Sequence, residues 1–152
     1  MKNQINLDDN VIKNLIESAQ KARDNSYAPY SEYRVGAALY AIADSKEPVI
    51  ITGCNVENAS YPAGICAERT AVFKAISEGY NIFKAIAIVG GHIKKINYEY
   101  TSPCGICRQV LREFVAPDDF YVIMANSGND YVIKTLDELL PMSFGPDNLK
   151  KN

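Results

Sequence analysis

The feature that most constrains the fold is a set of three cysteines and one glutamate in two distant clusters. The first cluster reads Cys66-Ala67-Glu68 and the second reads Pro103-Cys104-Gly105-Ile106-Cys107. Three thiolates can hold a zinc ion and leave the fourth tetrahedral position open for water. Cys104 and Cys107 are three residues apart, so they share one face of a helix. A fold that uses this set must bring two separate helix starts to the same point.

A metal site has to be weighed against simpler interpretations of these cysteines. A lone Cys-x-x-Cys pair is equally typical of a redox-active dithiol. Cys66 and the proline before Cys104 favour metal, because a redox pair needs neither and both fit the signature of zinc nucleobase deaminases. A closed structural zinc site needs a fourth ligand. Cys54 is the remaining cysteine, and at the end of a predicted strand we interpret it as a small buried hydrophobe.

Glu68 and Arg69 distinguish a catalytic site from a structural one. A carboxylate two residues after the first ligand can carry protons at the open metal position. Three thiolates on Zn²⁺ leave a net charge of about −1, which opposes deprotonation of water. The predicted helix starts at Cys66 and Cys104, together with Arg69, would offset that charge. The alternative for both residues is a solvated position on the helix surface, and helical spacing does not decide between the two.

Length and charge fit one domain that binds a small ligand. The chain has 152 residues, which we assign to a single domain over 1–152 with a frayed tail at 148–152. Lys and Arg total 16 against 18 Asp and Glu, and a net charge of −2 argues against stable nucleic-acid binding. No apolar run approaches about 18 residues, so no membrane span is expected. The polar N-terminus lacks a secretory signal, and we therefore expect a cytoplasmic protein with reduced thiols.

The hydrophobic pattern predicts alternating helices and strands. A helix capped by Asp8 or Asp9 runs to residue 23, and Thr135 and Glu138 have capping-box spacing that opens a last short helix. Helices between the later strands predict a mixed sheet covered by helices. The other predicted elements are strands at 34–43, 49–54, 83–89, 120–125 and 131–134, helices at 66–78 and 104–114, and connections at 44–48, 55–65, 90–102 and 126–129.

Six ordered motifs extend the pattern over almost the whole chain. They are SYAPYS at 26–31, RVGA at 34–37, TGCNVENA at 52–59, CAERT at 66–70, SPCGICRQ at 102–109 and LLPMSFGP at 139–146. With these motifs at this spacing, the chain resembles the small, homotetrameric cytidine deaminases of pyrimidine salvage. The resemblance implies an α/β fold, a three-layer α/β/α sandwich with a mixed five-stranded sheet. It also implies a zinc cofactor held by Cys66, Cys104 and Cys107.

The resemblance further implies roles for residues around the metal. Glu68 would be the catalytic proton shuttle. Asn55 and Glu57 would hydrogen-bond the ribose hydroxyls of the substrate, and their side chains offer the donors and acceptors that a diol needs. Without the resemblance, these two residues could be ordinary polar residues of a loop.

Three positions are implied to contact the base. The backbone of Ala67 would meet its edge. Phe144 would stack on it in the site of a neighbouring subunit, so the sites of the homotetramer would be completed across subunits. Tyr33 stands where the family commonly has a phenylalanine near the pyrimidine, and it retains an aromatic face there.

The activity implied is zinc-dependent hydrolytic deamination of cytidine and 2′-deoxycytidine to uridine and 2′-deoxyuridine plus ammonia. Two alternatives stay open. One is a related zinc deaminase that acts on a nucleoside antibiotic or on a base in RNA, but the Asn55–Glu57 motif and the acidic balance favour a free nucleoside. The other is a structural zinc module without activity, which Glu68 and the lack of a convincing fourth ligand disfavour.

Overall fold

A mixed sheet with helices on both faces forms the centre of the computed structural model, which describes residues 7–43, 46–94, 99–126 and 130–149. The helices are α1 (Asp9–Arg23), α2 (Ala67–Ser77), α3 (Gly105–Phe114) and α4 (Leu136–Leu139). The strands are β1 (Tyr33–Ala43), β2 (Lys46–Cys54), β3 (Ile82–His92), β4 (Tyr121–Ala125) and β5 (Tyr131–Thr135). Short 3-10 helices cover Tyr61–Ala63 and Pro146–Asn148.

The five strands lie in the order β2-β1-β3-β4-β5. β1 pairs antiparallel with β2 and with β3, β3 pairs parallel with β4, and β4 pairs antiparallel with β5. Because β2 and β3 both run opposite to β1, their C-terminal ends lie on the same side of the sheet. Near these ends, Gly36 of β1 pairs with Cys54 of β2 on one side and with Val89 of β3 on the other. The chain leaves β2 towards α2 and leaves β3 towards α3. This topology brings the starts of the two cysteine-bearing helices to the same side of the sheet, where β2 and β3 end.

Two apolar clusters bury the two faces of the sheet. Along β1, Leu39 contributes to one cluster and its neighbour Ala38 to the other, as the alternation of a strand requires. The cluster that contains Leu39 includes Val72 of α2 and Leu111 of α3, and the cluster that contains Ala38 includes Leu15 of α1. The three-layer α/β/α sandwich expected for this chain is confirmed. No helix within the described ranges is long and apolar enough to cross a membrane.

Most predicted elements are present, and the differences in the sheet lie at strand ends. β2 begins at Lys46, inside the predicted connection 44–48, and it includes Pro48. An edge strand tolerates a proline because part of its backbone needs no partner, and β2 is at the edge. β3 continues to His92, where a polar connection was expected, because its last residues pair with the start of β1. The capping box of Thr135 and Glu138 is confirmed.

Four predicted features fall partly outside the described residues. Residues 44–45 of the connection predicted at 44–48, and residues 95–98 of the connection predicted at 90–102, are not described. In the connection predicted at 126–129, residue 126 is described and residues 127–129 are not. In the tail predicted at 148–152, the described part ends at residue 149, and Asn148 closes the 3-10 helix Pro146–Asn148.

Candidate metal centre and active site

Two of the cysteines lie at helix starts. Cys66 is the N-cap of α2 and Cys104 is the N-cap of α3, each with extended backbone geometry. Neither side chain makes the usual capping hydrogen bond to its helix. Their sulfurs therefore remain available for another partner, at helix ends whose N–H groups favour negative charge.

The third cysteine completes a compact group with the first two. The sulfurs of Cys66, Cys104 and Cys107 all lie within 4.8 Å of one another, and the Cys66 and Cys104 sulfurs are 3.8 Å apart. Two thiolates on a tetrahedral zinc ion, with bonds of about 2.3 Å, stand about 3.8 Å apart. The donor set therefore fits zinc in both chemistry and spacing. Among the described residues this group has three members, so a fourth coordination position is left for water or substrate.

The cysteine group favours negative charge on one sulfur. A hydrogen bond from Cys107 lowers the pKa of the Cys66 thiol to about 5, and Cys107, which keeps the shared proton, has its own pKa raised. Nη2 of Arg69 lies 3.9 Å from the Cys66 sulfur. The buried Nε of Arg69 has no hydrogen-bond partner among the described residues. The guanidinium therefore supports a thiolate at Cys66 and retains a donor beside the metal position.

Glu68 lies in the first turn of α2 and is almost fully buried, with 4% of its surface exposed. Burial is the main reason that the pKa of its carboxyl group rises to about 7, and a hydrogen bond with the Cys107 thiol opposes that rise. The carboxyl group thus interacts with one thiol of the cysteine group. A buried carboxyl group that can hold or release a proton near neutral pH is suited to general acid–base catalysis.

The position of α2 depends on a close approach to β2 at Gly53. A Cβ atom at this glycine would lie 2.5 Å from the Ala67 carbonyl oxygen and 2.5 Å from the Ala71 nitrogen. No residue with a side chain fits without displacing the helix. Gly53 thus sets the depth at which the first turn of α2, with Cys66 and Glu68, sits against the sheet.

An open cavity of about 440 Å³ leads to Cys66 and Arg69. Its size is within the range of small-molecule sites. The lining combines aromatic rings with a few polar groups, which suits a nucleoside-sized ligand. The other residues around it are Tyr30, Ser31, Val56, Glu57, Asn58, Tyr61, Gly64 and Ile65.

The two predicted ribose residues are placed differently. Glu57 lines the cavity, and its carboxylate accepts hydrogen bonds from the backbone nitrogens of Tyr30 at 2.9 Å and Ser31 at 3.2 Å, and from the Ser31 hydroxyl. The Asn55 amide instead binds two backbone groups of β1: it accepts from the Val35 nitrogen at 2.8 Å and donates to the Tyr33 carbonyl at 2.9 Å. Asn55 does not line the cavity. Its observed contacts hold the strand next to the site.

The three predicted base-contacting residues do not line this cavity. Ala67 is fully buried at the start of α2, next to Cys66. Tyr33 begins β1, and its hydroxyl lies 2.8 Å from the Thr101 hydroxyl. Phe144 is 59% exposed, and its carbonyl accepts a hydrogen bond from the Gln109 side chain at 3.0 Å.

Two tyrosines form an aromatic wall of the cavity that was not expected from the sequence. Tyr30 and Tyr61 are 51% and 78% exposed, and their ring centroids are 6.3 Å apart. Tyr61 belongs to the short 3-10 helix Tyr61–Ala63, in a region expected to be a loop. The adjacent Pro62 was the available signal, because proline favours the first turn of a helix. Cys54 lies outside the cysteine group, as interpreted, but it is half-buried where a buried side chain was expected, and this partial burial raises the pKa of its thiol.

The chain is similar in sequence and structure to several known proteins. Residues 9–124 match the family described as the cytidine and deoxycytidylate deaminase zinc-binding region. The chain is 41% identical over 138 residues to a cytidine deaminase of Sporosarcina psychrophila, with 91% of this chain and 94% of the relative covered. It is 43% identical over 135 residues to a cytidine deaminase of Halalkalibacterium halodurans, with 89% and 95% covered. The crystal structure of cytidine deaminase from Burkholderia pseudomallei matches with a TM-score of 0.75 and 41% identity, covering 91% of this chain and 100% of that one.

Fold and cysteine centre together define a zinc-binding deaminase. The chain belongs to the cytidine and deoxycytidylate deaminase zinc-binding family. Zinc is therefore the metal that the group of Cys66, Cys104 and Cys107 is arranged to hold.

Proposed function

We propose that this protein hydrolyses cytidine and 2′-deoxycytidine to uridine and 2′-deoxyuridine, releasing ammonia. The observation that carries the proposal is the buried Glu68 carboxyl group in contact with a three-thiol zinc site. A structural zinc module has no use for such a group, because four protein ligands close its metal. The identity to cytidine deaminases over most of the chain supports the nucleoside substrate.

In the proposed reaction, Glu68 moves protons while the C4–N4 bond of the cytosine ring is replaced by a C4–O bond. When bound, zinc supplies a nucleophile near neutral pH by lowering the pKa of water. Glu68 accepts a proton from the attacking water and delivers it to N3 of the ring. Glu68 then transfers the second water proton to the departing amine, so that water and cytidine give uridine and ammonia. A pKa of about 7 lets the same carboxyl group act in both directions.

The surrounding residues would bind the nucleoside. Glu57 is oriented by its bonds to Tyr30 and Ser31, which occupy three of the about four acceptor positions of its carboxylate, and the remaining position can accept from a ribose hydroxyl. Asn55 would act beside it, with the remaining donor of its amide. The backbone of Ala67 would contact the base, and Tyr33 would present its ring near the pyrimidine.

Substrate comparison gives the first test of this proposal. Free cytosine is expected to have a kcat/KM at least about 10-fold below that of cytidine, because hydrogen bonds from the ribose to a charged group contribute about 1.5–3 kcal/mol each. Initial rates of ammonia release with cytidine, 2′-deoxycytidine and cytosine measure the difference. Glu57→Gln is the matched variant and should narrow the gap between nucleoside and base. Equal kcat/KM values for cytidine and cytosine would refute the ribose assignment, and activity confined to a nucleoside antibiotic or to RNA would support the alternative substrates.

The proposed assembly is a homotetramer in which subunits share their sites. The exposed Phe144 ring, which does not line the cavity of its own chain, supports a role in a neighbour's site. Stacking of a base on an aromatic ring is worth about 1–3 kcal/mol. Phe144→Ala should therefore raise KM by roughly 5- to 150-fold with little change in the free energy of unfolding.

Subunit mixing tests the shared site directly. Chains carrying Phe144→Ala are reassembled with chains carrying Glu68→Ala. If Phe144 acts across the interface, some sites in the mixture combine an intact Glu68 with an intact Phe144 from the neighbouring chain. Activity should then exceed the average of the two parents. A mixture that gives only that average, or a fully active monomer in sedimentation, would contradict the shared site.

The proposed setting is the cytoplasm, where the enzyme would return pyrimidine nucleosides to metabolism. The described cysteines are all free, and a zinc–thiolate site persists best where thiols stay reduced. The net charge of −2 supports a small nucleoside as partner in place of a nucleic acid or an anionic membrane surface.

A further inference from the structure

Arg108 of α3 joins two parts of the chain that are distant in sequence. Its guanidinium donates from Nε to the Pro103 carbonyl at 2.8 Å, from Nη2 to the Ser102 hydroxyl at 2.8 Å, and from Nη1 to the Leu139 carbonyl at 2.6 Å. Two of these partners immediately precede the metal ligand Cys104. The third is the last residue of α4.

On the metal side, Arg108 holds the backbone that leads into the ligand. The side chain of Pro103 is fully buried, and proline has no N–H through which this position could be tied to the fold. Cys104 is exposed, and its side chain makes no capping bond to α3. The bonds of Arg108 to residues 102 and 103 therefore restrain the chain on the N-terminal side of the Cys104 sulfur.

On the other side, Arg108 holds the start of the C-terminal segment, residues 139–149. The last carbonyl groups of a helix have no partner within it, and Arg108 supplies one for Leu139. Further along, Gln109 donates to the Phe144 carbonyl at 3.0 Å, and Nε of Arg112 donates to the Ser143 hydroxyl at 3.1 Å. One face of α3 thus carries successive polar side chains that fasten this segment.

Gly145 shows how closely the segment is fitted to α3. A Cβ atom at this position would lie 2.5 Å from Cζ of the buried Arg112. The segment is therefore packed directly against a helix whose N-cap and first turn provide Cys104 and Cys107. A displacement of either part would strain the bonds that Arg108 makes with both.

We propose that Arg108 is a positioning residue that couples the zinc ligand Cys104 to the C-terminal segment 139–149. The coupling depends on the planar fork of the guanidinium, which directs several donors to separate acceptors at once; a lysine ammonium cannot reproduce that geometry. Such coupling is reciprocal, so the segment steadies the ligand and the bound metal steadies the segment. The inference needs only zinc at the three thiols. Its consequence for Phe144 rests on the proposed function, since Arg108 would then align the metal with the base-stacking ring.

The test compares two readouts in zinc-loaded Arg108→Lys and Arg108→Met proteins. The first is the rate of zinc transfer to an excess of a chromogenic chelator, and the second is hydrogen exchange of the backbone amides in 139–149. Both variants should lose zinc roughly 10-fold faster than the parent, the lower end of the effect of residues that orient metal ligands. In both variants the backbone amides of 139–149 should also exchange faster than in the parent, and those of α1 should exchange at the parent rate. Ser102→Ala, which removes only a contact on the metal side, should speed zinc loss by a smaller factor and leave exchange in 139–149 unchanged.

The possible outcomes separate this proposal from simpler roles of Arg108. If Arg108→Lys lost zinc and exchanged its amides in 139–149 at the rates of the parent protein, a positive charge alone would be sufficient. That result would overturn the proposal. In the two Arg108 variants, faster zinc loss without faster amide exchange in 139–149, or faster exchange without faster zinc loss, would also overturn it. Neither readout uses deamination, so a failure here leaves the proposed activity intact.

A second measurement uses only the parent protein, so it does not depend on whether an Arg108 variant folds. Removal of zinc by a chelator should increase amide exchange in 139–149 and leave α1, on the opposite face of the sheet, unchanged. Exchange in 139–149 that does not respond to zinc would overturn the coupling.

Discussion

Replacement of Glu68 by glutamine is expected to lower kcat for cytidine by about 10²- to 10⁴-fold, the usual contribution of a general acid–base group. Glutamine keeps the size of the buried side chain but cannot carry a proton between water, N3 and the leaving amine. Zinc content should stay at the parent level, because the three sulfurs are unchanged. Steady-state kinetics and metal analysis of the same preparation give both values.

The exposed Glu113 of α3 is the matched control for this experiment. Glu113→Gln makes the same chemical change away from the cysteine group and should leave kcat within about 2-fold of the parent, because surface substitutions have small effects. Near-parent turnover by a zinc-loaded Glu68→Gln protein would remove Glu68 from the mechanism. A loss of zinc in that variant would instead assign it a structural role at the metal.

Loss of a thiol ligand should have an equally large effect through the metal. Cys104→Ala and Cys107→Ala are each expected to bring zinc from about one ion per chain to a small fraction of that after dialysis, since two thiolates with no third cannot sustain the site. Activity should fall with the metal. Zinc analysis and thermal unfolding of each variant, with and without added zinc, separate loss of metal from loss of fold.

Cys54 provides a matched control, because it is the one other cysteine of the chain and lies outside the cysteine group. Cys54→Ala should retain zinc and activity, with at most a modest fall in stability from its half-buried position. Full zinc occupancy in both Cys104→Ala and Cys107→Ala would contradict the three-thiol site. Loss of zinc in Cys54→Ala would show that the ligand set is incomplete.

The features that could be predicted from the sequence depend on residues close together in the chain. Apolar spacing and caps locate the helices, and the box formed by Thr135 and Glu138 involves residues three apart. The same holds for Cys104 and Cys107 on one helix face. That Cys66 lies close to Cys104 and Cys107 could be predicted because zinc needs a third ligand. The structure adds the topological reason, since β2 and β3 end on the same side of the sheet.

The features that escaped prediction depend on contacts between distant residues. β3 extends to His92 because it pairs with β1, and no local signal in that polar stretch indicates the pairing. The amide of Asn55 bridges two backbone groups of β1, 20 and 22 residues earlier in the chain. Arg108 looks like an ordinary helix charge until its bond to Leu139, 31 residues away, is seen. In the last two cases a polar side chain satisfies backbone groups that only the folded chain brings near.

Conversion of cytidine by the zinc-loaded protein is the most direct test of the central claim. Uridine is followed by chromatography, and ammonia is measured in the same reaction by a coupled enzymatic assay. The proposed function predicts equal amounts of the two products, formed with multiple turnovers by the parent protein and at the background rate by Glu68→Gln. A parent protein that holds about one zinc ion per chain yet releases no ammonia from cytidine or 2′-deoxycytidine would contradict it.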